Sequence, residues 1–264
     1  MICAINLNGQ FIFLDGTDPT CVFGVPPAAI QDKEAMVGIS EKEYKILKIP
    51  VLEKSSNAVI DTTWLELTQN GIKGKIKKKL KGYYAMNMYG ELMYWNAKNI
   101  DEDMKDEFSR GSNKFKLDTF HVDKKETTNE IVLSADFKLP DYAKKIGEEY
   151  YLNLNLFKFY ESEQIDYPRR KMPVSYNFKS VRKYVTMLKV PDGYKVTFLP
   201  QSKSFHNTIW GFDLKYEQKG NWVILTQEFD NDNLLLTSDQ FQPWNKVLEN
   251  LLPLYKETLS LAKN

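Results

Sequence analysis

Asn8-Gly9, Asn70-Gly71, Asp192-Gly193 and Lys219-Gly220 each separate two runs rich in β-branched and aromatic residues. That arrangement commits much of the chain to antiparallel strands. A two-residue hairpin loop of type I′ needs φ > 0 at both positions, which Asn-Gly and Asp-Gly supply at little cost. The runs 2–7 and 10–14 are predicted to form one hairpin, and 59–68 with 72–80 a second. Residues 35–39 read as a further strand, after a short irregular or helical connection at 26–30. From about 115 onward strands are expected at 115–122, 128–138, 149–160, 174–190, 194–199, 203–217 and 221–230, at the spacing of a sandwich.

Two stretches break the β pattern. Tyr84, Met88, Leu92 and Trp95 recur every three to four residues, and 101–108 repeats that period, so residues 82–109 are predicted helical. Ser238 or Asp239 can cap a last helix over 239–262, with Leu248, Leu251, Leu252, Tyr255, Leu259 and Leu261 on its apolar face. The fold class expected is α+β, mostly β, with a few helices and a C-terminal helix. A Lys-Ser-Ser-Asn stretch within 50–57 marks a boundary between a segment 1–55 and a β-rich domain 56–264.

Composition narrows the function classes. The chain has 264 residues, 42% of them hydrophobic, enough for a buried core. A net charge of +1 supplies no global field for nucleic acid or an anionic membrane. No apolar run reaches the roughly 18–20 residues of a membrane helix, and the first residues do not read as a signal peptide. Cys3 and Cys21 form no metal spacing, and a single bridge between them is left open. Compartment is open on these grounds.

One constellation carries chemistry. Residues 1–19 read MICAINLNGQFIFLDGTDP. With Asn8-Gly9 as the loop, Leu7 faces Gln10 and Asp15 falls opposite Ile2. A residue preceding Met1 would share the parity of Ile2 and lie diagonally from Asp15, roughly 7–8 Å away. That is within reach of an imidazole–carboxylate hydrogen bond. The segment resembles the transglutaminase-like superfamily, where a strand opening with the catalytic His is followed by one ending in the catalytic Asp. Asp15 in Phe13-Leu14-Asp15-Gly16-Thr17 falls on that aspartate. Phe23-Gly24-Val25-Pro26-Pro27 and 30–35 are similar to the exit segment of bacterial, multi-domain members of the periplasmic or cell-surface type, which carry a trailing β-rich domain. By this resemblance the His would directly precede Met1 and the Cys would open a helix farther upstream.

The resemblance implies a parent enzyme doing thiol acyl transfer or peptide hydrolysis through a Cys-His-Asp triad. The chain itself, holding Asp15 without Cys or His partners, is expected to be non-catalytic and to need no cofactor. Its expected partners are the missing upstream core or a protein or peptide. Self-association through the edge of residues 2–7 is expected if the chain is a fragment. Two alternatives stay open: a free-standing protein- or carbohydrate-binding β module, and an active cysteine enzyme completed by an upstream segment or partner chain.

The remaining candidates read as structural. Cys3 sits within a strand, and Cys21 sits in a loop rather than at a helix start, where thiol pKa falls. His121 and His206 lack a ligand cluster for zinc. Lys73, Lys75, Lys77, Lys79 and Lys81 occupy one strand face opposite Ile72, Ile76 and Leu80, which reads as a solvated face that blunts edge pairing rather than a nucleic-acid site. Tyr83, Tyr84, Tyr89, Tyr94 and Trp95 read as a helix face packed on a sheet. Glu148-Glu149 and the pair Asp230, Asp232 read as surface acids.

Overall fold

The computed structural model describes residues 2–94, 99–125 and 129–264. Strands Cys3–Leu7 (β1) and Gln10–Leu14 (β2) form the first hairpin, with Leu7 opposite Gln10 and Cys3 opposite Leu14. Asn8 and Gly9 take φ of 53° and 87°, as the two-residue loop requires. Glu34–Gly38 (β3) and Tyr44–Lys48 (β4) form another hairpin. These strands enclose a small core of Phe13, Val37 and Ile49, with Ile2, Ala4, Phe11 and Leu47 around it. Trp95 lies outside the described residues.

The described elements after residue 57 gather around a second, much larger core. Its strands are Ala58–Thr68 (β5), Gly71–Lys81 (β6), Lys116–Lys125 (β7), Glu130–Pro140 (β8), Lys144–Ile146 (β9), Glu149–Leu152 (β10), Val174–Ser175 (β11), Ser180–Lys189 (β12), Tyr194–Phe198 (β13), Lys203–His206 (β14), Trp210–Lys219 (β15), Trp222–Asn231 (β16), Leu235–Leu236 (β17) and Leu259–Lys263 (β18). Helices Tyr83–Tyr94 (α1), Ile100–Phe108 (α2) and Phe241–Leu251 (α3) complete it. Eight strands form one sheet in the order β14-β15-β16-β12-β5-β6-β8-β7, and four form a second, β13-β18-β10-β9. Inward residues of both sheets, such as Leu65, Leu188, Leu225, Leu152 and Leu261, belong to one buried cluster. The fold is α+β and mostly β, with the eight-stranded sheet antiparallel except where β12 runs parallel to β5.

Several local expectations are corrected. The second hairpin turns at Gln69-Asn70, because Thr68 pairs with Gly71. Gly71 is needed for a different reason: at φ 133° a Cβ would lie 2.2 Å from the Leu139 carbonyl oxygen on β8. The helix predicted over 239–262 ends at Leu251. A 3-10 turn over Leu252–Lys256 contains Pro253, which lacks an N–H to continue the ladder, and Leu259 and Leu261 then alternate on β18. The run 149–160 pairs only through Leu152. Beyond it, side chains replace the ladder: Asn153 Nδ2 donates to the Tyr255 carbonyl at 2.7 Å, and Asn155 Nδ2 donates to Tyr216 Oη at 3.0 Å. The run 203–217 is broken at Asn207, whose Oδ1 accepts the N–H groups of Ile209 and Trp210 at 2.9 and 3.2 Å. The lysine-rich β6 is interior, flanked by β5 and β8, so its charges blunt no edge. Among the described residues no helix is long and apolar enough to cross a membrane.

The most buried charges sit on the core side of β5. Arg110 spans Asp61 with Nη1–Oδ1 at 2.9 Å and Nη2–Oδ2 at 3.2 Å, both side chains at most 1% exposed. Its Nε donates to the Phe108 carbonyl and its Cζ lies 4.4 Å from the centre of the Phe157 ring. A bidentate pair with further hydrogen bonds to the guanidinium tolerates burial; a single buried charge does not. Asp61→Ala is therefore expected to cost about 3–5 kcal/mol in urea unfolding. The double change Asp61→Leu with Arg110→Met should cost clearly less, and equal losses would refute this account of the pair.

Candidate functional site

Asp15 stands just past the end of β2, where the ladder register carries it opposite Ile2. Both hydrogen bonds that it accepts fall on one oxygen: Thr17 donates its N–H at 2.9 Å and its hydroxyl at 2.6 Å to Oδ1. The Thr17 hydroxyl, and then its N–H, hold the Asp15 carboxyl below the usual range, so it stays ionised. Oδ2 accepts no hydrogen bond among the described residues. The turn thus fixes the carboxylate and leaves one oxygen open.

The loop that follows rests on α1. Pro19, Thr20, Cys21 and Val22 line a cavity of about 310 Å³ with Tyr89 and Met93. Tyr83 donates its hydroxyl to the Pro26 carbonyl, and Gln31 Nε2 donates to the Asn177 carbonyl at 2.9 Å. Both cysteines are free thiols. Burial, then Asp18 and Asp15, push the Cys21 thiol up from its ordinary value, the opposite of what an activated nucleophile needs.

The other sequence candidates separate cleanly. His121 is exposed on β7. His206 does have a carboxylate beside it: its Nε2 lies 3.0 Å from Asp213 Oδ2 across β14 and β15, with both side chains about half exposed. Burial opposes ionisation of Asp213, but the Ser204 hydroxyl and His206 outweigh it and lower its pKa. Lys73, Lys75 and Lys79 pair with Glu66, Asp136 and Glu130 at 2.9, 3.7 and 2.7 Å. Asp230 and Asp232 both hold Lys54, at 2.5 and 2.9 Å. Glu149 accepts the Tyr151 hydroxyl. Among the described residues no cluster of three or more His, Cys, Asp or Glu is placed to hold a metal.

A second constellation was not singled out from the sequence. On β12, Arg182 shares the inward parity of Tyr184, Thr186 and Leu188. Its Nε donates to Tyr84 Oη at 2.9 Å, and its guanidinium lies 5.5–5.9 Å from the ring centres of Tyr84, Phe159 and Tyr160. It has no carboxylate within 4.0 Å among the described residues. Together with Tyr176, Phe178 and Glu163 these groups line a cavity of about 390 Å³. The signal was available: an arginine at an inward position of an alternating strand breaks the pattern.

Residues 148–261 match a family model described as a Domain of Unknown Function with solved-structure structure (DUF3858). No curated protein matches the chain. The matched stretch runs from β10 into β18 and contains Arg182, while Asp15 and β5 to β8 lie outside it.

The raised thiol pKa gives a direct check. Replacing Asp18 by Asn removes a nearby negative charge and should increase the Cys21 thiolate fraction. Alkylation of Cys21 by iodoacetamide at pH 7, followed by peptide mass, is expected to speed up roughly two- to fivefold. An unchanged rate would show that Asp18 has no hold on the thiol.

Proposed function

We propose that the chain is the non-catalytic C-terminal portion of a transglutaminase-like protein, in which Asp15 is the carboxylate of a Cys-His-Asp triad. The observation that carries this reading is the one-sided holding of Asp15. Thr17 occupies Oδ1 and keeps the group ionised, and Oδ2 remains to accept an imidazole N–H. A triad carboxylate does this work: it fixes the tautomer and orientation of the histidine and stabilises the imidazolium that forms as the thiol loses its proton. The His and Cys would come from the segment preceding residue 1 in the parent.

The β-rich domain would brace this core or present a binding surface. The contacts of α1 with the loop after Asp15 support bracing, since Tyr83 and Asn177 hold that loop from the large domain. In the parent, the cysteine thiolate would attack an amide carbonyl, the C–N bond would break as the imidazolium protonates the departing ammonia or amine, and the thioester would then pass its acyl group to an amine or water, freeing the thiolate.

The chain alone is expected to show no thiol-dependent acyl transfer or peptide hydrolysis. In the upstream-extended parent, Asp15→Ala should lower kcat by roughly 10²–10⁴. Turnover by the isolated chain that Asp15→Ala abolishes, or a parent indifferent to that change, would overturn the reading. The outer edge of β1 is unpaired among the described residues, which supports self-association. A mass that rises with concentration in light scattering is expected, and a strict monomer at high concentration would count against it.

A further inference from the structure

Burying a guanidinium without a carboxylate is costly, and proteins rarely leave such a group uncompensated. Arg110 meets that demand with Asp61, Thr63, the Phe108 carbonyl and the Phe157 ring. Arg182, on the neighbouring strand β12, is half-buried rather than buried: it lies among rings, with a hydrogen bond from Nε to Tyr84, at the wall of an open cavity. Nη1 and Nη2 therefore remain as a two-pronged donor with no acceptor among the described residues, at the wall of the cavity. Rings next to an arginine hold it in place without neutralising it.

The wall of the same cavity carries a strained residue. Tyr160 takes φ 63°. The other non-glycine residues at positive φ among the described residues are Asn8, Asp32, Asn129 and Asp141, types that tolerate that region. A tyrosine there is an outlier, and such strain gathers at ligand sites. Tyr160 is packed among rings: Trp210 at 4.7 Å, Trp244 at 5.7 Å and Phe229 at 5.9 Å. Its hydroxyl accepts and donates no hydrogen bond within the described protein.

We propose that this cavity, between β12, α1 and residues 159–160, binds a carboxylate through Nη1 and Nη2 of Arg182, with an apolar or planar body lying against Tyr84, Tyr160 and Tyr176. The volume of about 390 Å³ suits a small acid or the terminal residue of a peptide. Glu163, exposed at the same cavity, disfavours a second negative charge on the ligand. Asp230 does not compete for Arg182, because it is held by Lys54. The site is independent of Asp15 and of the triad reading.

Titration of the full chain with benzoate, followed by tryptophan fluorescence from Trp210 and Trp244, tests the proposal. Benzoate is expected to bind saturably and benzamide, its neutral counterpart, about tenfold or more weakly. Arg182→Gln should weaken benzoate by about tenfold or more and remove the difference from benzamide. Arg182→Lys, which keeps the charge without the fork, should fall between. Should Arg182→Gln fail to fold, phenylglyoxal modification of the wild-type chain decides: benzoate should protect the Arg182 peptide and benzamide should not. Gly-Gly-Phe binding lost on C-terminal amidation would assign a peptide terminus, and benzoate binding without it would assign a free acid; either supports the carboxylate site. Equal binding of benzoate and benzamide, no binding of benzoate or Gly-Gly-Phe, or full benzoate affinity in Arg182→Gln would overturn it.

Discussion

Asn57 is the residue on which the large domain hangs together. It is fully buried, and its polar groups tie the start of β12 to the start of α1. Its side-chain Nδ2 donates to the Lys179 carbonyl at 3.0 Å, and its own carbonyl accepts the Val181 N–H at 3.0 Å. Its Oδ1 accepts the Tyr83 N–H at 3.1 Å, at the start of α1. One amide therefore starts the β5–β12 parallel ladder and seats the helix that leaves β6. Gly82, at φ 61°, is crowded onto the same amide, since a Cβ there would lie 2.3 Å from Asn57 Oδ1. A buried amide earns its place only when every donor and acceptor is matched. Here the matching also decides topology, because β5 and β12 are the sole join between the two halves of the eight-stranded sheet.

That join explains why the two arginines sit so close yet differ so much. The parallel register sets Asp61 beside Tyr184 and Val59 beside Arg182. Asp61 and Arg182 are thus two residues apart along the inner face, near enough in principle to compete for each other. The acid is taken instead by Arg110, arriving from the end of α2 with a bidentate fork and with Nε on the Phe108 carbonyl. Arg182 is left to Tyr84 and the rings of Phe159 and Tyr160. The stretch that matches the family model contains Arg182 but not Arg110 or Asp61, which lie before it.

The sequence made the antiparallel elements legible wherever local turn chemistry decided them. Asn8-Gly9 gave the loop, the register and the face of Asp15 together, because a two-residue loop leaves no freedom in the pairing. Periodicity likewise placed α1 and α2. What stayed hidden was settled by distant partners. Nothing near Gly71 announces that Leu139 presses on it, and the turn falls one residue earlier than Asn70-Gly71 predicts. Leu259 and Leu261 fit a helix face by spacing, but their neighbours in space are β10 and β13. The run after Leu152 is β-prone in composition, yet Asn153 and Asn155 bond inward to Tyr255 and Tyr216, partners far along the chain. The site was legible in the same uneven way: Asp15 from its hairpin, Arg182 only once β12 had a known inner face.

A folded chain is consistent across levels, so the places where local rules are broken without local compensation carry information. Asp61 on an inner face breaks the hydrophobic pattern, and Arg110 repairs it. Asp32 and Asp141 at positive φ strain the backbone little, since short polar side chains accept that region. Glu130, with little exposure, is met by Lys79. Arg182 and Tyr160 are different: an inward cation with no carboxylate within 4.0 Å among the described residues, and a bulky residue in left-handed backbone, side by side in the lining of one cavity. Two independent costs converging on one volume are hard to attribute to packing, because packing alone would relax either one with a leucine or a glycine. A ligand that supplies the missing negative charge compensates the first directly. Its body would also rest against the Tyr160 ring, which lines the same cavity.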